Sequence, residues 1–229
     1  MPVKLIRVQD PSLAVPMYSI NRRAFVNDGL QEALFPSSLF DPSDPDEQHR
    51  FRIGMLKDRL AAPKAWSTAA VDDDIKDEDG GVKMLGYAAW YEPESSAAEN
   101  GQPRQDEEEQ GWVKDGEGGL RGDGEKFPRC MDVNVYQELD RMVDESKRML
   151  LDLRSLAVDP DHSGRGLATQ LVQWGLDRAK EDNVPAYLES SPAALSLYKR
   201  LGFVVVKDLP PLNNGHVLTA MLIDPKEKK

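Results

Sequence analysis

The chain has 229 residues, a net charge of −11 and a single cysteine, Cys130. That length buries an ample core without staples, and one cysteine excludes an internal disulfide or a multi-cysteine metal site. The acidic balance argues against broad nucleic-acid or acidic-membrane binding, both of which need clustered Lys and Arg.

The opening "MPVKLIRVQDPSL" alternates apolar and charged residues, which predicts a strand over 3–8. It lacks the apolar core of a signal peptide, and no later run reaches membrane-spanning length, so a soluble protein in a reducing, cytoplasmic compartment is expected. Asp10 is placed to cap a helix that starts at Pro11, carries Leu13, Met17, Ile20 and Phe25 on one face, and is shortened or bent by Pro16. The stretch "NDGLQEALFPSSLFDPSDP" reads as an apolar loop, tucked on the core or lining a pocket. A second helix starts near Asp46 and runs through "QHRFRIGMLKDRL". Two strands, "AWSTAAV" and "GVKMLGYAAWY", are joined by an acidic turn, as in an antiparallel hairpin.

Residues 92–126 hold eleven Asp and Glu against four Lys and Arg, a local net of −7. This Gly-rich segment reads as a solvated, flexible insertion within one domain spanning 1–229, not as a domain boundary. Beyond it, "DVNVYQELDRMVDESKRML" spaces Val135, Leu139, Met142 and Val143 as a helix does. Then follow a strand "LLDLRSLAV", a helix "GLATQLVQWGLDRAKEDN", a strand "VPAYLES" and a short helix "PAALSLYKRLG". The strands "FVVVKD" and "GHVLTAMLI" complete the α/β pattern, a mixed sheet with helices on its faces and no internal repeat.

The turn inside "VDPDHSGRGLATQLVQWG", residues 158–175, leaves a strand, passes two glycines and enters a helix. A dinucleotide fingerprint would need a third glycine where Thr169 stands, and the Walker string is absent. What the spacing does allow is a run of backbone N–H groups at a helix start that holds a phosphate or pyrophosphate. Glycine lets such an anion approach the backbone closely, and Arg165 could add a charge-assisted contact. Taken by itself, the loop favours an ordinary strand-to-helix turn, and only its neighbours change that balance.

Together, "LAVDPDHSGRGLATQLVQW" and "AYLESSPAALSLYKRLGF" resemble the GNAT superfamily of acyl-CoA-dependent N-acyltransferases, most closely its fungal branch, over roughly residues 150–205. In that family a strand leads into Q/R-x-x-G-x-G/A, whose amides hold the coenzyme A pyrophosphate. The matching positions are Ser163, Gly164, Arg165, Gly166, Leu167 and Ala168, followed by Thr169; Ser163 departs from the pattern, whereas Gly166 and Ala168 fit it. The resemblance implies a mixed, mostly antiparallel sheet with a splayed central strand pair and helices on both faces. It implies acetyl-CoA as co-substrate, no metal, and acyl transfer to a primary amine by direct attack in a ternary complex. The backbone near Leu156, Ala157 and Val158 would align the pantetheine and stabilise an oxyanion if its strand splays from "AYLES". Tyr198 occupies the position of the family's general acid, and its phenol could protonate the leaving sulfur. Asp152 and Glu189 are the candidate bases, with His162 a third. Acceptor recognition would fall to residues 25–40 and the late "PPLNNGH" stretch, with Asp28, Glu32 and Asp41 available to attract a cationic amine. The competing reading is a non-catalytic acyl-CoA-binding or regulatory protein that kept the cofactor cradle.

Overall fold

The computed structural model describes residues 3–76, 82–93, 127–142 and 150–226. The opening alternation forms strand β1 (Lys4–Val8). Asp10 then caps a 3-10 turn, Pro11–Leu13, its carboxylate accepting from Ser12 N at 2.9 Å, and the turn runs into helix α1 (Ala14–Ala24). Pro16 neither ends nor shortens α1. It sits in the first turn, where its missing N–H has no helical acceptor to lose. The expected apolar loop contains a further helix, α2 (Gly29–Leu34), because Asp28 caps it through Leu30 N and Gln31 N. Helix α3 (Glu47–Ala61) follows the expected course.

Strands β2 (Ala65–Lys76) and β3 (Val82–Tyr91) pair antiparallel. Their connecting turn, and residues 94–126 of the expected insertion, lie outside the described residues, as does Val143 beyond helix α4 (Val133–Met142). The last part of the chain gives β4 (Leu151–Val158), α5 (Leu167–Asp182), β5 (Ala186–Ser190), α6 (Leu195–Arg200), β6 (Val204–Asp208) and β7 (Thr219–Ile223). The seven strands run in the order β1-β2-β3-β4-β5-β7-β6, and among the described residues only β4 and β5 pair in parallel. The sheet is therefore mixed and mostly antiparallel, as the resemblance implied.

Two cores fix the layers. Met17, Ile20, Leu56 and Leu60 of α1 and α3 pack on Ala69, Tyr87 and Ala157, covering one face of β1–β4. On the opposite face Leu171, Val172 and Ala179 of α5 meet Trp90, Leu151, Leu153 and Leu188, with Tyr198 and Phe203 closing the layer. A smaller cluster joins Ala33 of α2, Val135 of α4 and Leu212 of the β6–β7 connection.

Trp90, fully buried, packs so close to α5 that a Cβ at Gly175 would lie 2.2 Å from its Cε2 and 2.3 Å from its Cζ2. Glycine here serves the close approach of ring and helix, offsetting the roughly 1 kcal/mol it costs a helix interior. Gly175→Ala is expected to lower stability in urea unfolding by about 2 kcal/mol through overpacking, net of that propensity gain. An unchanged or raised midpoint would contradict the close packing of Trp90 on α5.

Candidate functional site

β4 is zipped to β3 along its length, from Gly86 opposite Val158 to Tyr91 opposite Asp152. Between Ala89 opposite Ser155 and Trp90 opposite Leu153 the register shifts, leaving Arg154 as an extra residue on β4. Such a bulge bends the strand and increases its twist. On its other edge β4 meets β5 at two positions only, Leu151 opposite Ala186 and Asp152 opposite Tyr187. From Leu153 onward the two strands diverge, so the β5-facing backbone of β4 as far as Val158 has no ladder to complete it. Ala157 is buried in the α1–α3 core, while Leu156 and Val158 pack against the α5 core. Their side chains are structural, and what the gap offers is backbone N–H and C=O.

The chain leaves β4 through Asp159, which is buried, caps the 3-10 turn Pro160–His162 through Asp161 N, and donates its own N–H to Leu85 O at 2.8 Å. Ser163 N–H is used inside this turn, donating to Pro160 O at 3.2 Å. Gly164 and Gly166 both adopt left-handed backbone, φ 76° and 75°, and a Cβ built on either meets nothing within 4 Å. Only glycine takes up this conformation without strain, and the space above it is open. Helix α5 starts directly afterwards. Its first helical hydrogen bond runs from Gln170 N to Gly166 O, so the N–H groups of Leu167, Ala168 and Thr169 precede the ladder. These three amides lie at the positive end of a 16-residue helix.

Two arginines set the loop's position. Arg23 of α1 reaches 136 residues along the chain to pair with buried Asp159 at 2.9 Å and with Asp161 at 2.7 Å. This pairing raises the Arg23 pKa and holds the Asp161 carboxyl below its ordinary value, in both cases chiefly through their mutual hydrogen bond. Arg165 turns its guanidinium to buried Asp72 of β2 at 3.5 Å and to His162 Nδ1 at 3.2 Å. Neither arginine–aspartate pair was legible in the sequence.

The candidate bases converge where β4 and β5 part. Asp152 is buried and ion-paired with Arg154. Tyr187, opposite it on β5, hydrogen-bonds Glu189, and burial followed by that carboxylate's charge pushes the Tyr187 pKa up. Tyr187 and Glu189, two residues apart, share a face of β5, and Tyr187 lies among Leu30, Leu139 and Leu209 on the α2–α4 side. Tyr198 lies across the sheet. It is 6% exposed in the α5–α6 core, edge-on to Phe203 at 5.8 Å between centroids, and burial raises its pKa. Its hydroxyl has no hydrogen bond among the described residues.

The two segments expected to recognise an acceptor do meet. Asn214 Nδ2 donates to Gly29 O at 2.8 Å, and Leu212 packs on Ala33. Of the acids named there, Asp28 is engaged in capping α2, and Asp41 accepts from Ser43 N and Oγ in its own turn; Glu32 is exposed. Among the described residues no three His, Cys, Asp or Glu side chains group as a metal centre needs, and no helix is long and apolar enough to cross a membrane.

Residues 134–203, which contain β4, the glycine loop, α5, β5 and α6, match the model of the acetyltransferase (GNAT) family. A 39-residue stretch is 49% identical to the probable acyltransferase SID5 of Ajellomyces capsulatus, a match spanning 17% of this chain and 29% of that protein. The fold is similar to that of a histone acetyltransferase HPA2 and related acetyltransferase from Corynebacterium glutamicum, with TM-score 0.59 and 19% identity over 100% of this chain and 99% of that one. It is also similar to Arabidopsis thaliana NAA60 in complex with acetyl-CoA, with TM-score 0.52 and 14% identity over 97% and 98% of the two chains.

If Arg23 positions the loop, Arg23→Ala leaves Asp159 buried without its cation. Stability in urea unfolding is then expected to fall by about 2 kcal/mol, the cost of leaving a buried charged acceptor unpaired. An unchanged midpoint would show that the loop holds its shape without α1.

Proposed function

Because residues 134–203 match the acetyltransferase (GNAT) family model, we propose that this chain moves an acetyl or other short acyl group from its coenzyme A thioester to a primary amine, both substrates being bound together. The observation that carries this reading is the parting of β4 from β5 after Asp152, immediately upstream of a glycine loop that opens a helix.

The residues present fit coenzyme A. The N–H groups of Leu167, Ala168 and Thr169, together with the open space over Gly164 and Gly166, suit its pyrophosphate. The unladdered edge of β4 near Leu156 and Val158 suits the amides of its pantetheine arm. Ser163, whose N–H is internally bonded, contributes at most its hydroxyl, and Arg165 is held by Asp72. Coenzyme A, when acylated, supplies an activated thioester carbonyl.

The chain's own groups supply proton traffic and orientation. A primary ammonium must lose a proton before it can attack, and Asp152 and Glu189 face the side of the gap lined by α2 and α4. A carboxylate Oδ or Oε there accepts that proton, directly or through water. Arg154 is ion-paired with Asp152 and fixes its orientation. In this reading Tyr198, on the α5–α6 face, is the acid whose Oη donates to the departing sulfur. Its raised pKa keeps the phenol protonated throughout the working range, so the acid is available at neutral and alkaline pH alike.

The test is turnover of a panel of primary amines with acetyl-CoA, followed by thiol release. Tyr198→Phe is expected to lower kcat about 100-fold, the span typical of a lost general acid. The wild-type rate should not fall on the alkaline side before pH 10, the ordinary tyrosine value that burial has raised. An unchanged kcat in the variant would remove Tyr198 as the acid. Coenzyme A binding without turnover of any amine would favour the non-catalytic alternative.

A further inference from the structure

Of the three arginines on helix α3, Arg50 pairs with Asp44, and Arg52 and Arg59 remain to be accounted for. Arg52 and Arg59 lie seven residues apart, two turns of helix, and so share a face. Arg52 donates through Nη1 to Gln31 Oε1 and through Nη2 to Asn21 Oδ1 at 2.5 Å, with its guanidinium over the rings of Tyr18 at 5.7 Å and Phe35 at 5.5 Å. Asn21 Nδ2 donates to Tyr87 Oη at 3.0 Å, and Ser155 Oγ donates to the same oxygen at 3.2 Å. A continuous polar chain therefore links Arg52 to β4, three residues beyond Asp152. Arg59 lies over Tyr91 at 5.9 Å, and Tyr91 is the cross-strand partner of Asp152.

Charge balance makes this arrangement informative. The chain has 40 acidic against 29 basic side chains, and Arg23, Arg50, Arg154, Arg165 and Arg178 each pair with a carboxylate. Among the described residues neither Arg52 nor Arg59 has one within 4 Å. Burial depresses the Arg52 pKa, as expected of a half-buried cation whose partners are neutral amides. Asp28, the acid that acts on it from α2, is occupied by the cap of that helix. Two of the five guanidinium N–H groups serve the amides, and the planar fork that remains matches a carboxylate.

We infer that Arg52 binds a carboxylate of the acceptor, so that the acceptor is a small amine that also carries an acid group. Its amine lies toward Asp152 and Glu189 and its carboxylate on Arg52, with Arg59 adding positive potential on the same side. The acidic bases at the gap and the arginines of α3 thus divide a zwitterion between them. This inference rests on the transfer reading above for the identity of the reaction.

The test uses matched pairs, α- and ω-amino acids against their carboxamides, which share the amine and differ only in the charge. The free acids are expected to exceed their amides by about 10- to 100-fold in kcat/KM, the span of a charge-assisted hydrogen bond. Arg52→Gln should raise KM for the acids to that of the amides, and Arg52→Lys, which keeps the charge without the fork, should restore part of the preference. Coenzyme A affinity in each variant reports whether the fold stands. Acids and amides used equally, or a preference that survives Arg52→Gln, would overturn the assignment. Should no pair turn over, calorimetry with coenzyme A present still decides Arg52. Binding of acids but not amides, lost in Arg52→Gln, upholds the carboxylate site, and binding of neither refutes it.

Discussion

Everything functional in this fold depends on one broken ladder. β4 keeps its bonds to β3 from end to end but gives up β5 after a single step past Leu151. Exposed backbone amides are costly inside a protein, so a strand that abandons a neighbour must be held elsewhere. Three features hold β4: the continuous β3 ladder, apolar side chains inserted into cores on both faces, and the bulge at Arg154 that bends the strand away. Gly86 adds close approach, since a Cβ there would lie 2.9 Å from Ala157 O. The gap is therefore rigid on one side and open on the other, which suits recognition of an extended, amide-containing chain by backbone alone.

The same divergence sorts the chemistry by face. Asp152, Ser155 and Ala157 turn toward the helices that precede β2, whereas Leu153 and Tyr198 belong to the α5–α6 layer. The candidate carboxylates and the Tyr198 phenol thus belong to opposite faces of the sheet. Arg23 ties the layers together, because the first helix of the chain holds the loop through which β4 enters α5. Helix α1 therefore bears on two places at once: it holds the glycine loop through Arg23 and meets Arg52 of α3 through Asn21.

Much of the architecture was readable residue by residue. Period-two and period-3.6 patterns located the strands and helices, and the pair of glycines before "LATQLVQWG" marked the helix start correctly. α2 was read as loop although its cap was visible: Asp28 before Gly29 is a capping signal, outweighed by the Pro and Ser around it. Pro16 looked like a breaker because its distance from the true helix start was misjudged by three residues. The splay itself leaves little trace, since "LRSLAV" has the composition of any half-buried strand; a charged Arg154 in its middle was the one hint of a bulge. Arg23 with Asp159, and Arg52 with Asn21 and Tyr87, depend on tertiary contact across tens of residues, and no local pattern announces them.

The central claim is that the β4 edge and the α5 start form one coenzyme A cradle. Amide hydrogen exchange with and without coenzyme A tests it most directly, because the binding groups are the amides themselves. Protection is expected to rise at Leu156–Val158 and at Gly164–Thr169, with β6 and β7 unchanged. No added protection at those two segments, or protection confined to other parts of the sheet, would contradict it.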